Sequence, residues 1–109
     1  DEPDEVRRFD KGTIDVIKVG EHTVGRATFH PGWSWSECVR PIAQTPLCEV
    51  EHFGYVTQGR MTVRMQDGTE IEFKAGDVMA VKPNHDAWVL GDQPCVVIDW
   101  AGATAYARK

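Results

Sequence analysis

The stretch that decides the fold runs from residue 48 to residue 100: CEVEHFGYVTQGRMTVRMQDGTEIEFKAGDVMAVKPNHDAWVLGDQPCVVIDW. It breaks into short runs separated by turn pairs: Gln58-Gly59, Asp67-Gly68, Ala75-Gly76, Pro83-Asn84 and Gly91-Asp92. Strands this short and evenly spaced suit a closed β-barrel or sandwich. Met61, Val63 and Met65 alternate with Arg60, Thr62 and Arg64, the period of a half-buried strand. Asp67-Gly68 predicts a type I′ hairpin, after which Ile71 and Phe73 face inward and Glu70 and Glu72 outward. Apolar runs at 78–81, 87–90 and 95–100 complete the series.

Upstream the same period continues. Residues 13–19 alternate, with Ile14 and Val16 on one face, and Gly20-Glu21 turns them into a second strand over 22–29. Pro31-Gly32 is a strong turn signal, and 33–38 reads as a third strand. Residues 40–47, with Pro41 and Pro46, read as the one long loop, and 49–57 as the next strand. No segment of ten or more residues shows a helical period. The expectation is an all-β domain of about ten short strands. It spans 1–109, with an N-terminal arm over 1–12, a core over 48–100 and a tail over 101–109.

Composition narrows the function classes. A chain of 109 residues forms one domain, and 41% hydrophobic content suffices for one core. The net charge of −5 argues against nucleic acid and anionic membrane as partners, since both need a basic face. No apolar run approaches the roughly 20 residues that span a bilayer. Asp1, Glu2, Asp4 and Glu5 argue against a signal peptide and, with Asp10, favour a solvated arm. Three cysteines, Cys38, Cys48 and Cys95, are an odd set, which suits a reduced, cytoplasmic setting, with a Cys38–Cys48 bridge as the alternative.

Two stretches carry a family resemblance. The first is His52-Phe-Gly-Tyr-Val-Thr-Gln-Gly59 followed by Arg60-Met-Thr-Val. The second is Gly76-Asp-Val-Met-Ala-Val-Lys-Pro-Asn-His85-Asp-Ala-Trp88, with Pro31-Gly-Trp-Ser-Trp-Ser36 upstream. Over nearly its whole length the chain resembles the cupin superfamily, the double-stranded β-helix or RmlC-like jelly-roll barrel. It is most similar to small single-domain bacterial cupins with a His-Asp-Ala-Trp signature and no assigned activity. The resemblance implies a homodimer and a small-molecule ligand. It departs from the family's three-histidine-and-glutamate metal set. The paired-histidine places fall on Pro46 and Cys48, or on Thr45 and Leu47. The acidic place holds His52, and the last histidine place holds Ala87, with His85 two residues early.

A cupin barrel points alternate residues into its lumen. Cys48 and His52 therefore share an inward face, and the resemblance brings His85 towards His52 from the neighbouring strand. Thiolate and imidazole suit zinc, copper or ferrous iron, and a divalent metal such as zinc, iron, manganese or nickel is the candidate cofactor. Glu49, Glu51 or Asp86 are candidates for a fourth ligand. On a regular strand Cys48 and His52 would stand about 13 Å apart at roughly 3.3 Å per residue. That favours His52 with His85 as the working pair, unless the chain bends at Cys48. The competing account is a core histidine, a turn-capping His85 and a small buried Cys48. Trp33, Trp35, Tyr55 and Trp88 are candidate walls of a ligand pocket, or else core filling. Arg26, Arg40, Arg64, His22 and His30 read as surface residues. The leading expectation is a small-molecule-binding cupin with an incomplete metal set. The alternative is a divalent-metal enzyme of oxygenase or isomerase type using His52 and His85.

Overall fold

A computed structural model describes residues 5–45, 47, 48 and 51–100. Among these, nine strands and two short helices follow in the order β1 (Glu5–Phe9), β2 (Gly12–Val19), β3 (His22–Phe29), α1 (Trp35–Cys38), α2 (Arg40–Ala43), β4 (His52–Gln58), β5 (Arg60–Met65), β6 (Glu70–Lys74), β7 (Val78–Val81), β8 (His85–Leu90) and β9 (Cys95–Asp99). Two antiparallel sheets result: a six-stranded sheet ordered β1-β2-β3-β9-β4-β7 and a three-stranded sheet ordered β6-β5-β8. The core lies between them. Ile14, Val16, Ala27, Phe29, Val56, Met79, Val81 and Val97 come from the larger sheet, and Met61, Val63, Phe73, Ala87 and Val89 from the smaller. No helix is long and apolar enough to cross a membrane among the described residues.

Alternation along β4 and β9 positions the interior. His52, Gly54 and Val56 face inward while Phe53 and Tyr55 face out. On β9 the inward residues are Cys95, Val97 and Asp99. The two strands are in register at Gly54–Asp99, and a bulge at Thr57 shifts the pairing from Val56–Val97 to Gln58–Val96. Gly54 allows the close approach, because a Cβ there would lie 2.1 Å from the Ile98 carbonyl oxygen. On the outer face, Phe53 and Trp100 pack with ring centroids 6.1 Å apart, beside exposed Tyr55 and Val78.

Several sequence expectations change. The arm over 1–12 contains β1, which pairs along β2; its Phe9 packs on Phe29 and Trp33, and that contact holds the segment to the barrel. Residues 33–38 are not a strand. Ser34 caps α1 by accepting the Glu37 N–H, the Ser-x-x-Glu pattern of a helix start. The proline loop contains α2, with Pro41 in its first turn, where the missing N–H costs nothing. The Asp67-Gly68 hairpin forms, but with a longer loop than type I′. Only Gly68 takes positive φ, and the Asp67 carboxylate accepts the Thr69 N–H. Ile71 is 43% exposed, because β6 is an edge strand of the smaller sheet. Pro46, Glu49 and Val50, the tail over 101–109 and the first four residues lie outside the described residues.

The Gly54 contact is testable. Gly54→Ala presses a methyl group onto backbone that has no rotamer to yield, so it should cost about 1–3 kcal/mol and lower Tm by several degrees. Ile71→Ala, on an exposed edge, should stay within about 0.5 kcal/mol. Thermal unfolding of the two variants beside the parent protein checks both values.

Candidate metal centre

Cys48 is placed by backbone pairing with the start of β8. Its N–H donates to the His85 carbonyl at 2.8 Å, and its carbonyl accepts from Asn84 and His85 N–H at 2.7 and 3.2 Å. The pair forms an isolated antiparallel bridge, so the two side chains start side by side. The chain then leaves the smaller sheet and enters β4 of the larger one at His52. The two residues thus join different sheets instead of sharing one regular strand. Cys48 Sγ consequently lies 3.8 Å from His52 Nε2, not 13 Å away. His85 opens β8 in the smaller sheet, so it faces His52 across the barrel rather than from the neighbouring strand, β7. The two imidazoles meet edge to face, with centroids 5.2 Å apart.

Both imidazoles are oriented by their other nitrogen. His85 Nδ1 donates to the Lys82 carbonyl at 2.8 Å. His52 Nδ1 lies 2.6 Å from Asp99 Oδ2, a buried contact that links β4 to β9. Each ring therefore keeps Nε2 as its remaining donor atom. Ligand atoms of Cys48, His52 and His85 all lie within 4.8 Å of one another, and all three residues are buried. Metal–sulfur bonds of about 2.3 Å and metal–nitrogen bonds of about 2.0–2.1 Å let one ion bridge such a group. A carboxylate behind a ligating histidine is the usual outer support of a metal site. The donor set thus fits a borderline-soft transition metal.

The charges agree with the geometry. Burial pushes the Cys48 thiol up, but hydrogen bonds and charge from His52 and His85 outweigh it and hold the thiol at about 6. Burial pulls His52 down, but Asp99 and Cys48 outweigh it and hold the imidazole at about 9. His52 sits above its ordinary 6.5, so its contribution to stability is complete below that pH and is lost as pH rises through about 9. Cys48 sits below its ordinary 9.0, so its contribution is complete above that pH and is lost as pH falls through about 6. In the metal-free protein a thiolate–imidazolium pair therefore spans the interval between those limits. Cys95 is different: burial alone pushes it up to about 11.

A cavity of about 30 Å³ adjoins the group. Its lining includes His52, His85, Asp99, Trp33, Trp35 and Met79. Trp33 Nε1 is buried and has no hydrogen-bond partner among the described residues. Trp33 and Trp35 reach this cavity from a turn and from α1, not from one strand face. Tyr55 points outward from β4, and Trp88 sits half-buried on the outward parity of β8; neither lines the cavity. Of the candidate fourth ligands, Asp86 accepts the Ser36 and Ala87 N–H groups and so secures α1. Glu51 is exposed, and Glu49 lies outside the described residues. The three cysteines are free thiols, with Cys38 turned to Asp10 rather than to Cys48.

Sequence reasoning missed Asp99. Its signal was parity: on β9 it shares the inward face of Cys95 and Val97, and a carboxylate there needs a partner.

Comparison with known proteins places these features in context. A family model for the cupin domain matches residues 44–101. No curated protein matches the chain. A protein of unknown function from Acinetobacter superposes with a TM-score of 0.64 at 12% identity, covering 89% of each chain. A double-stranded β-helix protein from Klebsiella pneumoniae gives 0.62 at 18% identity, covering 89% of this chain and 81% of the other. The polyketide cyclase RemF from Streptomyces resistomycificus gives 0.61 at 21% identity, covering 87% and 67%. At these identities the likeness is one of fold.

In metal-free protein, the thiolate absorbance of one cysteine should grow in as pH rises through about 6. Asp99→Asn should move that midpoint upward, because the imidazolium loses its counter-charge. Ultraviolet difference titration of both proteins is the measurement.

Proposed function

Because the chain belongs to the cupin family, we propose that it is a metal-binding cupin whose ion is held by Cys48, His52 and His85. The observation that carries this reading is the orientation of the two imidazoles: each has Nδ1 engaged and Nε2 left beside a buried sulfur. Zinc, iron, nickel or copper would supply Lewis-acid or one-electron chemistry at such a site. The protein's own part is to fix three donors, keep Cys48 as a thiolate and exclude water with apolar walls.

The adjoining cavity bears on what else binds. Its volume of about 30 Å³ holds a water-sized or diatomic molecule. Typical small-molecule pockets enclose roughly 300–1,000 Å³. A metabolite-binding barrel, or an oxygenase- or isomerase-type enzyme with an organic substrate, would need the barrel to open. Trp33 Nε1 favours a ligand with one acceptor atom, since it is a buried donor with no partner among the described residues. A homodimer belongs to the same reading, supported by exposed Phe53, Tyr55, Val78 and Trp100 on one outer face. A reducing, cytoplasmic compartment suits the three free thiols.

Elemental analysis of protein purified without chelator or histidine tag tests the assignment. Close to one transition-metal ion per chain is expected. His52→Ala and Cys48→Ser should lose it, and Cys38→Ser should keep it. Asp99→Asn should weaken affinity by roughly 10–100-fold while leaving the ligands intact. Retention of none of zinc, copper, iron, nickel or manganese by the parent protein would overturn the reading.

A further inference from the structure

We propose that Cys48, His52 and His85 form a copper centre that exchanges single electrons, with the Cys48 thiolate as its defining ligand. The proposal rests on the metal-site reading above and specifies which metal is held and what the site does with it. Two imidazoles and one thiolate in a closed group are the donor set of electron-transfer copper sites, usually completed by a weak soft donor such as a thioether. The donors here are that set, gathered from two sheets and buried to 2% exposure for Cys48, 3% for His85 and 8% for His52. Met61 and Met79 line the adjoining cavity and carry the only thioethers there.

The alternatives fit less well. Manganese favours carboxylate ligands, and the common non-haem ferrous site joins two histidines to one carboxylate. Among the described residues, the metal-competent group contains no carboxylate, because Asp99 is bonded to His52 and Asp86 secures α1. A structural zinc site closes with four protein ligands, and among the described residues this group offers three. Catalytic zinc takes a water or a substrate at its open position, and the space of about 30 Å³ beside the group admits a water-sized molecule but no organic substrate. A site with room for an ion and little more can pass electrons without admitting an organic substrate.

A copper ion held here would take one electron from a reduced one-electron carrier, copper(II) becoming copper(I), and would return it to an oxidised one-electron carrier. Cys48 would stay a thiolate throughout, and no proton would need to move.

The test uses the full chain, stripped of metal and titrated without dioxygen with copper(II) and, separately, with zinc. An intense visible absorption saturating at one copper per chain is expected, from charge transfer between thiolate and copper. Ascorbate should bleach it and ferricyanide restore it over repeated cycles. Cys48→Ser should abolish it, with circular dichroism confirming the fold. The parent protein alone decides the matter if that variant does not fold. One-to-one zinc binding with only weak copper colour, or irreversible bleaching with loss of the thiol, would overturn the copper proposal and leave the metal site standing. Binding of neither ion would overturn both.

Discussion

The backbone pairing of Cys48 with His85 is the constraint on which the interior depends. These hydrogen bonds tie the start of β8, an edge strand of the smaller sheet, to Cys48, which precedes β4 of the larger one. Without the tie, Cys48 would be one more residue of a loop, and the thiol and both imidazoles would have no reason to converge. With it, the crossing between the sheets brings together a residue pair, Cys48 and His52, that regular extension would hold apart. The site is thus a product of topology first and of side-chain choice second.

The second layer is electrostatic. The Cys48 thiol, the His52 and His85 imidazoles and the Asp99 carboxylate are buried in a core built mainly of Val, Met, Ile, Ala, Phe and Trp side chains. Each alone would be costly there. Together they compensate: Asp99 favours a cationic His52, His52 favours an anionic Cys48, and each hydrogen bond also fixes a ring. The arrangement is an ion-pair chain as well as a set of metal donors. Metal binding would replace the proton on His52 by the ion without moving either neighbour's role. Preorganisation of this kind limits what loading the site must rearrange.

The sequence made much of this legible and left particular parts hidden. Turns were visible because the chain needs positive φ there, as Gly59, Gly76 and Gly91 confirm. Ile14 and Val16 of β2 and Met61 and Val63 of β5 were visible as inward residues through alternation, although Thr62, expected on the outer face of β5, is buried as well. The helix at Trp35 was not, because four residues are too few to display a period, although Ser34 and Glu37 carried its start signal. The closeness of Cys48 to His52 was hidden because it depends on which sheet each residue joins. Asp99 was hidden by distance along the chain, 47 residues from its partner. Tyr55 and Trp88 were attractive as aromatics, but strand parity turns both away from the cavity.

The bulge at Thr57 has a bearing on how this chain can vary. Before it, even-numbered residues face the interior: His52, Gly54, Val56. After it, odd-numbered ones do: Met61, Val63, and Phe73 on β6. From β4 onward the chain is therefore written in two reading frames, even and then odd, with the change falling between Val56 and Met61. A deletion within β4 upstream of Thr57 would exchange the site for the aromatic outer face, whereas a change of length at the bulge itself would be absorbed where no inward residue is counted. Tolerance to insertion and deletion should be sharply uneven along β4, and the junction between the frames is where related barrels of different length have room to diverge.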